Sequence, residues 1–191
     1  MKEPIKKRDF LFDNYKALLI FFVVLGHFTD LNAGNNPFLY TLKWFISSFH
    51  MPAFVFVSGY FSKKDAPVSK LIEKLLIPYF VYECLYYLLY VYILNKPTGL
   101  YLIYPKFSLW YILALFVWRL ITPYVKKVPH HIWFAIAAGL LIGCSGIKDN
   151  LLSIPRIVVF YPYFLAGIHF HSADFSRERN GSVVQQSKTA V

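Results

Sequence analysis

The sequence predicts an all-α protein, a polytopic transmembrane helical bundle of about six spans with a cytoplasmic N-terminus. Three observations predict it: a low charged fraction, long unbroken apolar runs, and basic residues gathered between those runs. Only 16% of the 191 residues are charged, while 57% are hydrophobic and 20% aromatic. Soluble domains carry about a quarter charged residues, so this chain has too few to coat a globule. A mean hydropathy of +0.46 agrees. Strands are not expected, because the apolar runs are continuous and a membrane barrel would alternate with period two.

Crossing ~30 Å of hydrocarbon takes ~20 apolar residues. The runs that qualify lie near 11–31, 41–62, 75–95 and 107–125, with a shorter one at 131–147. A sixth, 154–171, is expected to be interrupted by Pro162. Basic Lys6, Lys7 and Arg8 ahead of the first run resemble a signal peptide, but no small-x-small cleavage site follows, so the first span is expected to remain uncleaved. The plentiful Tyr (15) and Phe (19) suit aromatic belts at both interfaces.

The charges between spans set the expected topology. An N-in arrangement puts thirteen basic residues inside: Lys2, Lys6, Lys7, Arg8, Lys63, Lys64, Lys70, Lys74, Lys126, Lys127, Arg177, Arg179 and Lys188. Five fall outside: Lys43, Lys96, Lys106, Lys148 and Arg156. The positive-inside rule favours that orientation, and it accounts for the net charge of +10 without a nucleic-acid partner. The expected partner is the lipid bilayer. Residues 1–171 are expected to form the membrane domain, and 172–191 a polar, aperiodic, disordered tail. Its Asn180-Gly181-Ser182 sequon is expected to be inert on the cytoplasmic side. Cys84 and Cys144 have neither metal-ligand nor disulfide spacing, so no metal site is expected.

Ionisable groups within spans are costly and mark candidate functional sites. They are Lys16, His27, His50, Glu83, Arg119 and His169. Lys16 and Arg119 sit near inner span ends, where an anchoring role serves as well, and His169 carries little weight. His27 lies towards the outer half of the first span and His50 well inside the second, which runs the opposite way. The two imidazoles can therefore share a depth and face one cavity, as bases or donors; carbonyl-bonded structural histidines are the plainer alternative. Glu83, among Tyr79, Tyr82, Tyr86 and Tyr87, is either a carboxylate partner or a carboxyl bonded to those phenols. From these residues alone an enzyme, a transporter and a proton relay all stay open.

Several motifs add a resemblance. Lys16 and His27, with ten residues between them, are similar to the first-span pattern of the acyltransferase family 3 membrane proteins. Ser48-Phe49-His50-Met51-Pro52-Ala53-Phe54 running to Ser58-Gly59-Tyr60-Phe61 resembles the second-span signature of the sugar O-acetylase branch. Lys74-Leu75-Leu76-Ile77-Pro78-Tyr79, Leu109-Trp110-Tyr111-Ile112-Leu113-Ala114-Leu115 and Tyr161-Pro162-Tyr163-Phe164-Leu165-Ala166-Gly167 are similar to later family segments. Five matches in order over residues 8–170 carry the resemblance.

The resemblance implies a transferase of acyl groups other than aminoacyl groups, a multi-pass protein of the bacterial cytoplasmic membrane. It implies O-acetylation, the transfer of an acetyl or other acyl group from acyl-CoA to a hydroxyl of a cell-surface carbohydrate. No bound cofactor is implied; acetyl-CoA is a co-substrate. His27 is the implied general base, with His50 or a tyrosine hydroxyl steadying the oxyanion. Lys16, Lys70 and Lys74 are implied contacts for the CoA phosphates, and Glu83 a further substrate contact. Two departures stand out. Lys70 and Lys74 occupy a position where relatives often carry two arginines, so bidentate phosphate binding is lost. Relatives also have roughly ten spans, so a C-terminally truncated copy is expected. An exporter of polysaccharide or lipid-linked sugar, or an inactive remnant, are the alternatives.

Overall fold

The computed structural model describes residues 10–32, 34, 36–97, 99, 105, 109–147 and 151–170. Among them there is no strand and there are six helices, matching the six expected runs. They are α1 (Phe10–Asn32), α2 (Pro37–Phe61), α3 (Val68–Ile93), α4 (Trp110–Val125), α5 (His131–Cys144) and α6 (Ile154–His169). Lys2, Lys6, Lys7, Arg8, Lys106, Lys148, the tail 172–191 and the Lys16 side chain lie outside the described residues.

Local chemistry moves the boundaries from those expected. α2 begins at Pro37, before residue 41, because the Asn36 side chain accepts from the N–H groups of Phe38 and Leu39. A side-chain cap followed by proline satisfies or removes orphan donors at a helix start. α3 begins at Val68 rather than 75, directly after Pro67, and contains two π segments, Ile72–Leu76 and Leu89–Ile93. The first precedes Pro78, which has no N–H for the Lys74 carbonyl. The widened turn instead sends the Ile77 N–H to the Ile72 carbonyl. Pro162 does not interrupt the sixth helix as expected: α6 runs unbroken through it. Tyr161, Phe164 and Leu165 around it are buried against neighbouring helices, and such packing holds a proline-containing helix together.

α6 is central, packing on α2, α4 and α5, while α1 lies against α2. Val55, Trp110, Ala114, Trp118, Phe164 and Leu165 form the core between α2, α4 and α6. The Trp118 indole N–H donates to the Ile157 carbonyl at 2.8 Å. Thr122 donates to the Trp118 carbonyl at 2.6 Å and pairs with the Tyr161 hydroxyl at 3.2 Å. α2 and α6 meet with backbones touching: a methyl added at Gly59 would run into the Phe164 carbonyl, and one at Gly167 into that of Phe56. Small residues permit this approach, a common device where helices pack within lipid. α3 is more loosely attached, packing on α4 through its first turns.

Three contacts bring the 62–67 and 126–130 connections and the end of α6 to one end of the bundle. Lys126 pairs with Asp65 at 3.6 Å, Lys63 donates to the Phe170 carbonyl, and His131 meets His169 at 2.9 Å. This end also carries Lys64, Lys70, Lys74 and Lys127 and is here called the lysine-rich end. Elsewhere the surface is strongly apolar: Phe21, Val24 and Phe28 of α1, Val81 and Leu85 of α3, and Trp133 and Leu141 of α5 are all exposed. By length and composition α3 can cross a membrane; Ala17–Thr29 within α1, and α4, α5 and α6, are shorter apolar helices.

Candidate active site

Away from the lysine-rich end, α1, α2, α4 and α6 separate around a cavity of about 670 Å³. His27 comes from the later half of α1, Ser47, His50 and Phe54 from α2, Trp110 and Tyr111 from the start of α4, and Arg156 and Phe160 from the start of α6. The expectation that His27 and His50 face one cavity is met. Gly26, next to His27, faces α2 here: a methyl at that position would lie in ordinary contact with Ile46 at 3.4 Å and with the His50 ring at 4.0 Å.

His50 is buried, and its Nδ1 lies 2.6 Å from the Ile46 carbonyl. A carbonyl can only accept, so Nδ1 carries a proton, and in the neutral form of the ring this places the lone pair on Nε2. In that form the ring can take a proton from a substrate. The same form leaves neutral His50 no N–H to offer an oxyanion, the role raised for it from the sequence. A hydroxyl is better placed for that role: Tyr111 lines the cavity and hydrogen-bonds the Ser58 hydroxyl. Ser58 lines a second cavity of about 320 Å³, nearer the lysine-rich end, with Ile20, Ser62 and Arg119. Phe54 lines both cavities. Phe54 and the Tyr111–Ser58 pair thus lie between a histidine-lined space and an arginine-lined one.

The other expected residues fall elsewhere. Lys70 and Lys74 are exposed on the first turns of α3 and line neither cavity. Glu83 is fully buried on α3, flanked by Tyr79 and Tyr86, and it too lies outside both cavities. His169 sits at the opposite end of α6 from the histidine cavity, against His131. Among the described residues no three His, Cys, Asp or Glu side chains gather as metal ligands would. Sequence reasoning passed over Arg156, which counted only as an outer charge, while Arg119 stood among the candidates with an anchoring role as the plainer reading. Their neighbours Trp110-Tyr111 and Ser58-Gly59 stand within the family-like motifs, but only helix packing brings those motifs to the arginines.

Residues 11–183 match the model of a family described as an acyltransferase domain, and the match runs on past residue 171 into the polar segment. No curated protein and no solved structure matches the chain. The match covers nearly the whole length, including all six helices and both cavities, so the chain belongs to acyltransferase family 3, with a function of the acyltransferase type.

Proposed function

We propose that this protein is a membrane-embedded O-acyltransferase that moves an acetyl or similar acyl group from acyl-CoA to a hydroxyl of a cell-surface carbohydrate. The observation that carries the reading is the pair of histidines from α1 and α2 on one cavity, with an arginine-lined cavity behind it. The lysine-rich end faces the cytoplasm and receives acyl-CoA. Lys16, Lys70 and Lys74 attract its phosphates as they approach, and Arg119 lies deeper along the route. The carbohydrate enters the histidine cavity from the opposite side.

His27 removes the acceptor hydroxyl proton as that oxygen attacks the thioester carbonyl carbon, while His50, its Nε2 lone pair free for a proton, is a second acceptor in the same space. The Tyr111 hydroxyl steadies the oxyanion. When the tetrahedral adduct collapses, the C–S bond breaks and the CoA thiolate leaves, taking up the proton held by histidine. An ester remains on the sugar. The apolar outer faces of α1, α3 and α5 contact lipid, as the multi-pass reading requires.

Two measurements test the proposal. In a chain lacking Cys84 and Cys144, Lys64→Cys is expected to resist a membrane-impermeant thiol reagent applied to intact cells; labelling there would overturn the orientation. Acyl transfer to surface glycan, normalised to protein in the membrane, is expected to fall about 10²–10⁴-fold in His27→Ala. Equal rates in parent and variant would refute the mechanism.

A further inference from the structure

We infer that Arg156 makes the acceptor end of the histidine cavity a subsite for an anionic sugar, one carrying a carboxylate. The inference rests on reading that cavity as the carbohydrate site. Arg156 and Phe160 are one turn apart on α6 and both meet Trp110: the guanidinium lies 5.4 Å from the indole ring, and the Phe160 ring stacks on it at 5.8 Å. Trp110 is itself buried. A guanidinium over an indole face is drawn to its electron density, so a fixed aromatic holds Arg156 at the cavity wall.

The charge of the site points the same way. Among the described residues, no Asp or Glu lines this cavity and Arg156 makes no ion pair. The other ionisable groups that line it are His27, His50 and Tyr111, and imidazoles and phenols carry no negative charge near neutral pH. An acceptor sugar seated against the histidines therefore meets a cation with no ion-pair partner among the described residues and a planar fork of donors, whose geometry suits a carboxylate bound through both oxygens. By helical rise, His50 and Arg156 both lie ~12–14 Å from the Gly59–Phe164 contact, so they sit at similar height in the bundle. A pyranose ring bearing a carboxylate can thus present a hydroxyl to the histidines while its acid group faces Arg156.

The test uses the full chain in nanodiscs of phosphatidylcholine. Calorimetry compares a glucuronate-containing disaccharide with the same disaccharide after reduction of its carboxyl to an alcohol. The parent is expected to bind the acidic form about tenfold or more tightly than the neutral one. Arg156→Gln is expected to abolish that preference, and Arg156→Lys to restore part of it, because charge without the fork remains. Melting temperatures of both variants establish that they are folded. If the parent binds both sugars alike and Arg156→Gln changes neither affinity, the anionic subsite is wrong while the acyl-transfer reading stands. If the parent binds neither sugar, the reading of the cavity as an acceptor site fails and takes the inference with it. If Arg156→Gln alters only retention of phosphatidylglycerol in mixed-lipid nanodiscs, Arg156 is a headgroup anchor and the inference is overturned.

Discussion

α2 and α6 treat their two halves in opposite ways. Towards the lysine-rich end they meet at Gly59 and Gly167, so closely that neither position has room for a methyl group. Towards the other end the same helices draw apart, and His50 and Arg156 line the space between them with α1 and α4. One half is fixed by backbone contact and the other is opened by bulky side chains, Phe54, Trp110 and Phe160. A tight crossing at one end of a helix pair thus supports an open site at the other, because rigid helices that cross must diverge.

The comparison breaks most completely at the crossing. Gly59→Val is expected to cost ~3 kcal/mol or more by overpacking against immovable backbone. A melting curve in detergent should show it as loss of the folded chain. Gly143→Ala is the control, since a methyl there meets only a Val159 side-chain carbon at 4.0 Å. Equal melting of the two variants would mean that the crossing does not anchor the bundle.

A smaller effect is expected on the open side, confined to function. His50→Asn keeps an N–H for the Ile46 carbonyl but offers no basic lone pair. Acyl transfer should fall about 10²-fold, with the melting temperature nearly unchanged. A large loss of stability with a proportionate loss of rate would instead make His50 a structural residue.

The smallest effect belongs to the lysine-rich end. The Lys126–Asp65 pair is partly exposed, the Asp65 side chain at 62%. Lys126→Ala should cost at most ~1 kcal/mol, as exposed ion pairs do. A greater loss in chemical denaturation would show that this contact, as well as the glycine crossing, holds that end together.

Much of the fold was legible in the sequence because a long apolar run and its flanking charges are local signals. Every expected run became a helix, and the errors were at ends, where the Asn36 cap and Pro67 set starts earlier than the apolar runs alone imply. Pro162 misled in the other direction: its local propensity is to break a helix, and burial of its neighbours overrode that. At the site, the antiparallel helices α1 and α2 bring His27 and His50 to one cavity, so their meeting was foreseeable. Glu83 shows the limit, because position along an apolar run does not say which way a helix faces. It is buried on α3, a helix that packs on α4 by its first turns and contributes nothing to the histidine cavity.

The sequence by itself determined the helical class, the number of helices, the gathering of lysines at alternate connections and the family. These follow from runs, charges and motifs, each written in contiguous residues. Tertiary structure alone decided that Arg156 joins His27 and His50, that Tyr111 reaches Ser58, and that α6 stands at the centre of the bundle. Those pairings span 53 residues for Tyr111–Ser58 and far more for Arg156 and His27. They depend on which helix faces turn inward, and for α2 and α6 that goes with two backbone contacts between residues far apart in the chain, Gly59 with Phe164 and Gly167 with Phe56.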